Sequence, residues 1–370
     1  MAHRLTHEQV RRIRSFHQGL TGESAAADAA QAVRQLCGLQ AQELPSAHLA
    51  LRARTTGLTA ADVRRAREVE RAVVLTWTLR GTLHLIAAED VRRQLALFGT
   101  LSIHRAERRF RQLGLDADTR RTAAERIRNL LGTRGPLTRA ELAAALAQDG
   151  IPVEGQAIHY LVYYAALTGI ICFGPERSGS LTYVVLDNWL NSDDRDTITG
   201  ADMLAELARR YLSAHAPATL ADFASWSSLS AGQAKAGFEA IAGELIEVET
   251  PSATAWMLKQ QRERLDTLSA ARSVRLLPRY DSYLLGYQSR AFMVQADYAQ
   301  RIHPGGGLIR ASVIVDGEAR GNWRMEHKRA ATTITVEPFE SFGADIVPGL
   351  EAEAQDIGRF LNVNARLSLA

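Results

Sequence analysis

Three stretches of this chain repeat one order of patterning: a helix, a second helix, a third helix, then two short β-rich runs around a polar turn. The clearest copy occupies about residues 119–189 and another about 199–257, while a less regular copy fills the first ninety-odd residues. That order is the winged helix, a helix-turn-helix variant whose usual ligand is duplex DNA. A regulator commonly carries one such unit per subunit. Three in one chain suit gripping a single DNA molecule over a long arc. The expected fold class is α+β, with three tandem winged-helix units at 1–115, 116–195 and 196–262 and a β-rich, barrel-like C-terminal domain at 263–370.

Element signals support the repeat. The first helix is expected over 7–18, capped by Thr6, with Val10, Ile13 and Phe16 or His17 on one face. A second is expected over 24–37, opening on Ser24 and stopping at Gly38 in a left-handed position. Pro45 opens a third, which carries Arg52 and Arg54. A linking helix near 59–67 leads to β-rich runs at 73–79 and 83–86 around Arg80-Gly81-Thr82, read as a hairpin wing. The second copy has helices near 120–132, 139–149 and 154–168 and strands at 170–173 and 181–186, with 174–179 as a loop. The third has helices near 201–214, 220–227 and 231–242 and strands at 246–249 and 254–258. Residues 187–199 read as the linker between these copies. Beyond about Leu265 the signals are strands at 274–277, 308–315, 319–324 and 332–336, a helix over 344–361 and a last strand at 363–367. Asp316-Gly317 is a strong hairpin turn.

With 46% hydrophobic and 23% charged residues, the chain is an ordinary globular sequence. No apolar stretch approaches the roughly 20 residues a membrane helix needs. Cys37 and Cys172 are the only cysteines and lack partners at zinc spacing, so buried free thiols are expected, with no metal and no iron–sulfur cluster. The net charge of +3 is unevenly spread. Residues 1–130 hold 22 Arg and no Lys against 13 Asp and Glu, a balance of +9, and the rest of the chain carries −6. The excess of planar, phosphate-matching guanidiniums places the electrostatic footprint on the N-terminal third.

Four phrases carry chemical groups beyond what the repeat needs. In Gly38-Leu39-Gln40-Ala41-Gln42-Glu43, Gln40 and Gln42 point the same way if the helix stops at Gly38 and the chain runs extended; in a continuing helix they diverge by roughly 200°. A polar turn with solvated amides fits the same residues. In Thr76-Trp77-Thr78-Leu79-Arg80-Gly81-Thr82-Leu83-His84, Arg80 is a candidate phosphate contact at a wing tip, and His84 is either a DNA contact or a satisfied core residue. Leu277-Pro278-Arg279-Tyr280-Asp281-Ser282-Tyr283 gathers an arginine, a carboxylate and tyrosines, fitting a site or a folded connector. Val315-Asp316-Gly317 is by itself a hairpin.

Together these phrases resemble one family: the AlkZ-type DNA glycosylases, built from winged helices. The resemblance spans almost the whole chain and rests on Gln-Ala-Gln at 40–42, Trp-Thr-Leu-Arg-Gly-Thr-Leu-His at 77–84, Leu-Pro-Arg-Tyr-Asp at 277–281 and Val-Asp-Gly at 315–317. It implies a C-shaped clamp, a cofactor-free hydrolysis of N-glycosidic bonds and double-stranded DNA carrying alkylated or crosslinked purines as partner. Related branches have Asp at the second Gln. Gln42 therefore implies the branch associated with self-resistance to DNA-alkylating natural products, azinomycin-like crosslinkers in particular. The implied catalytic residues are Gln40, Gln42 and Asp281, the last as a carboxylate near the developing sugar cation or as an orienter of the tyrosines, and the implied DNA contacts are Arg52, Arg80, His84, Arg279, Tyr283, Asp316 and Gly317. The hairpin at Asp316-Gly317 and the loop Gly305–Gly307 are candidate probes of a groove. A monomer in a bacterial cytoplasm, nucleoid-associated when bound, is expected.

Two alternatives stay open at this stage. A non-catalytic tandem winged-helix regulator would use Gln40 and Gln42 to contact adenine, and a structural protein would use the repeats for protein contacts. The basic N-terminal third disfavours the latter. If arginine–phosphate contacts supply most of the affinity, six or more of them should weaken duplex binding by about 10³-fold or more between ~50 and ~200 mM salt. A flat fluorescence-anisotropy titration across that range would remove the N-terminal third as the binding face.

Overall fold

Thr6 starts the first helix. Its hydroxyl accepts from the Gln9 N–H at 3.2 Å while Gln9 Oε1 accepts from the Thr6 N–H at 2.8 Å, a capping box ahead of His7–His17. The computed structural model describes residues 3–190, 200–263, 267, 271–328 and 331–370. Two units emerge: residues 1–63 with 199–370, and residues 64–198. The first repeat as read from sequence thus has its 1–63 part in one unit and its 64–115 part in the other.

In the first unit the second helix is shorter than the sequence implies. Ser24 closes a 3₁₀ turn, Gly22–Ser24, by bonding locally to Thr21, and the α-helix Ala29–Gln35 begins on an Asp28 cap. Its end is a Schellman motif in which Cys37 (φ 56°) precedes Gly38 (φ 105°) in positive φ: Cys37 N–H donates to Arg34 O and Gly38 N–H to Val33 O. Leu44–Arg52 follows, with Pro45 in its first turn. The helices Ala201–His215, Leu220–Ser227 and Ala231–Ala240 precede the hairpin Leu245–Glu249/Thr254–Leu258. His3–Arg4 adds to that hairpin as a parallel strand, a pairing across more than 240 residues that no local pattern announces.

Five strands build the C-terminal part. Val274–Leu277, Ser312–Val315, Glu318–Lys328 and Ala331–Pro338 form an antiparallel meander, and Ala365–Leu369 joins parallel to Ala331–Pro338. The helix Val347–Leu361 makes that crossover and packs on both edge strands. Glycines allow the approach on each side. A Cβ at Gly349 would lie 2.7 Å from Val274 Cγ2, and one at Gly358 2.9 Å from Ala365 Cβ. Because both edges lie on one helix, the sheet curls into an open half-barrel.

The second unit holds two hairpins, Val73–Trp77/Leu83–Ala87 and Ile171–Arg177/Ser180–Val185. The latter strands run further than expected, leaving only Ser178–Gly179 as the turn. Helices Ala117–Arg134, Arg139–Gln148 and Ala157–Leu167 flank them. The longest helix of the described residues, Val91–Gln112, lies where the sequence reading assigns no element. Val74, Ile86, Val91, Leu95, Cys172, Val184, Leu186 and Trp189 form one apolar cluster, so Cys172 is a core thiol. Leu186–Trp189 is a short helix in that cluster; residues 191–199 of the expected linker lie outside the described residues.

Arg52 is enclosed, which corrects its reading as a DNA contact. Only 2% exposed, its guanidinium donates twice to Glu353 Oε2 at 2.9 Å, to Asp356 Oδ2 at 3.2 Å and to Leu276 O at 2.9 Å. The arginine ties the third helix to the first strand and the strapping helix of the half-barrel. Arg52→Met should cost about 3 kcal/mol in urea unfolding, because Glu353 keeps its charge and loses its main partner. Arg52→Met/Glu353→Leu should recover most of the loss, and the folded single variant should bind DNA as the parent does.

Candidate active site

Gln40 and Gln42 flank the buried Ala41 just past the end of the second helix. The Schellman stop turns the chain at Cys37 and Gly38 (φ 105°), and Leu39–Gln40 follows as a strand. Leu39 and Ala41 are buried at 1% and 2% exposure, whereas Gln40 is half-buried and Gln42 exposed. That alternation is the period-two pattern in which residues two apart share a face. Leu39 and Ala41 take the buried positions of that alternation, and the chain bends at Gln42. Glu43, next in the chain, receives Arg279 Nη1 at 2.7 Å, and the connector 277–287 is thereby fastened beside the amide segment.

That connector is set by Asp281. The carboxylate is 1% exposed and meets Arg54 in a two-pronged ion pair, Nη2 to Oδ1 at 2.6 Å and Nη1 to Oδ2 at 2.8 Å. Oδ1 also accepts from the Tyr283 N–H at 2.9 Å, capping the turn Ser282–Leu285. Arg54 in turn donates to Ala50 O and Gln18 Oε1. Enclosed this way, Asp281 has no oxygen facing a ligand. That corrects its reading as a carboxylate near the sugar cation and leaves the other, a positioning residue that orders the backbone from Arg279 to Tyr283. Arg54 was visible in sequence as a cation of the third helix, but nothing local marked its partner 227 residues away.

Several expected DNA contacts are interior. Tyr283 is fully buried, its hydroxyl donating to Gly317 O at 2.9 Å and accepting from Ser15 at 3.3 Å, and burial pushes its pKa up to about 12. Asp316 (φ 49°) accepts from Ser273 N–H at 2.9 Å and pairs with Arg272 at 3.3 Å. A Cβ at Gly317 would stand 2.7 Å from both Arg11 Cβ and the Tyr283 hydroxyl. The Asp316–Gly317 turn is therefore docked on the first helix, which corrects its reading as a projecting probe. Gly305–Gly307 is exposed, with open space at all three Cβ positions.

In the other unit, His84 is 1% exposed and its Nδ1 lies 3.0 Å from Thr82 O. A carbonyl only accepts, so Nδ1 carries the proton. Burial, and secondarily the Arg80 charge, lower the His84 pKa to about 3. It is a neutral core residue, and its reading as a DNA contact is corrected. Arg80 stands half-buried at the hairpin turn (φ 58°), its pKa lowered by burial to about 10, so it stays charged at neutral pH.

The sequence model described as "DNA glycosylase AlkZ-like" matches residues 33–360. The chain belongs to the AlkZ-like DNA glycosylase family. It is 26% identical over 349 residues to an interstrand DNA cross-link repair glycosylase of Streptomyces sahachiroi, covering 91% of each chain. The solved structure of the Streptomyces sahachiroi DNA glycosylase AlkZ superposes with a TM-score of 0.85 at 24% identity, covering 99% of this chain and all of that one. Membership decides between the sequence alternatives: this AlkZ-like protein is an enzyme, not a regulator that only binds.

His84 gives this glycosylase a testable acid sensitivity. Its folded pKa lies below its unfolded value near 6.5, so its contribution to stability is complete above about pH 6.5 and is lost as pH falls toward 3. The unfolded chain binds the extra proton in that window, and the loss is about 1.4 kcal/mol per pH unit. Denaturant titrations between pH 6.5 and 4.5 should show the parent losing more stability than His84→Asn by about that slope. Equal slopes would refute the buried neutral imidazole.

Proposed function

We propose that this enzyme is a monofunctional glycosylase for N7-alkylated purines in duplex DNA, interstrand crosslinks of the azinomycin type included. The single observation that carries this reading is the alternation of two amides with the buried Leu39 and Ala41. The activity for which the Streptomyces relative is named, cross-link repair, supports the substrate class.

Alkylation at N7 puts a fixed positive charge on the base and weakens the bond from N9 to C1′ before any enzyme arrives. Water adds to C1′, the C1′–N9 bond breaks, and its electron pair neutralises the departing purine. The added water's proton passes to solvent. No general acid is required. What is required is a water held on the far face of an oxocarbenium-like sugar, and a carboxamide can accept one of its hydrogens and orient its lone pair. Gln40 and Gln42 fill that role in this reading. No lysine lies within the motifs at 40–42, 77–84, 277–281 or 315–317, so Schiff-base strand cleavage is not expected and the product is an abasic site in an intact backbone. A base tied to the opposite strand cannot rotate into a pocket, so the reaction takes place with the purine in the duplex. In this scheme the segments 1–115, 116–195 and 196–262 act as three DNA-gripping units.

Incubation with duplex containing 7-methylguanine, followed by alkali, should give strand breaks at the lesion. Under single-turnover conditions Gln40→Ala and Gln42→Ala should each slow excision by about 10- to 10³-fold, the scale of lost positioning and polar stabilisation. Rates equal to the parent's in both variants would remove the amides from the mechanism.

A further inference from the structure

We propose that Tyr280 is a nucleotide-contacting residue on which the positively charged purine stacks, and that its ring helps distinguish such a base from a neutral one. The inference rests on the function proposed above and extends it to substrate choice. Tyr280 has φ 59°, a backbone region costly for a bulky L-residue and characteristic of functional sites when the surroundings enforce it. Here they do. On one side Asp281 is locked by Arg54 at 2.6 and 2.8 Å, and on the other Arg279 is tied to Glu43 at 2.7 Å. The Tyr280 N–H reaches Ile309 O at 3.3 Å.

The held ring is only half-buried, unlike that of Tyr283. Tyr280 belongs to a continuous chain of contacts leading to the amides: Gln42 is followed by Glu43, Glu43 binds Arg279, and the Arg279 guanidinium lies 5.3 Å from the Tyr280 ring centre. Glycine or asparagine would occupy this backbone with less strain. The tyrosine brings what they lack, an aromatic face. A planar N7-alkylated purine gains both stacking and cation–π attraction on that face, whereas an undamaged purine gains stacking alone. Glu43 offsets the Arg279 charge, so the π face is not left opposite an uncompensated like charge.

The test compares Tyr280→Phe, which keeps the ring, with Tyr280→Gly and Tyr280→Asn, which remove it and suit the left-handed backbone. Each is assayed for single-turnover excision of 7-methylguanine, for melting temperature, and for binding to duplex bearing 2′-fluoro-stabilised 7-methylguanine against the same duplex bearing guanine. Gly and Asn should melt within a few degrees of the parent yet lose about 2- to 30-fold in their preference for the cationic duplex, the range of one lost cation–π contact. Phe should retain the preference. Parental preference in both Gly and Asn, or its loss in Phe, would overturn the role of the ring. A parent that releases no base would overturn the proposed function instead, and the binding arm still reads Tyr280 without it.

Discussion

The buried ion pair between Arg54 and Asp281 is what the site depends on. Removing both charges from water is expensive, and their attraction offsets that cost only when geometry is good and the remaining donors and acceptors are satisfied. Here two parallel hydrogen bonds join them, Ala50 O and Gln18 take further guanidinium protons, and the Tyr283 N–H reaches the carboxylate, while Arg54 Nε is left buried without an acceptor. An apolar pair of the same volume would serve stability as well. It would not dictate the backbone of 279–283, because only directional bonds fix the left-handed Tyr280 and aim Arg279 at Glu43. The ion pair is thus better understood as a device for specificity of conformation than as a source of folding energy.

The same logic recasts the arginine excess of the N-terminal third. Arg14, Arg52, Arg54, Arg67 and Arg120 are all buried, and the first three bind carbonyls or carboxylates within their own unit. Arg14 also lies 3.7 Å from the Tyr287 ring centre. A planar fork with five donors suits this interior work as well as it suits phosphate. Counting cations therefore overstates the DNA-facing surface, and the exposed subset, not the sum, sets the salt response.

Much of the fold was legible because local periodicity carries it. Thr6 with Gln9 marks a helix start, the β-branched and apolar run from Val73 ends at a turn with Gly81, and Leu39-Gln40-Ala41-Gln42 alternates apolar and polar. The Val91–Gln112 helix is readable too, since Val91, Leu95, Phe98 and Ser102 fall on one face at helical spacing, but it lies outside the repeated order. What sequence could not supply was long-range pairing. His3–Arg4 finds its strand partner at Val248–Glu249, and Arg54 its carboxylate at Asp281. Nor does sequence separate a polar residue that serves a ligand from one that satisfies a core. His84, Tyr283 and Arg52 carry the right chemistry, and burial redirects each of them inward.

On the proposed reading, the absence of an unpaired carboxylate from the Gln40–Gln42 segment has a kinetic meaning. The lesion is a cation before reaction, and the transition state is a cation too, with its charge moved from base toward sugar. A carboxylate equidistant from both would attract the two states alike, which tightens binding without lowering the barrier between them. Glu43 is the only acid adjoining the amides in sequence, and Arg279 occupies it. Selectivity for the transition state must then come from groups whose interaction changes over the few ångströms between N7 and C1′. A dipole has that short range and a full charge does not, so a pair of amides fixed by two buried apolar neighbours is a physically sufficient answer for a leaving group that needs no proton.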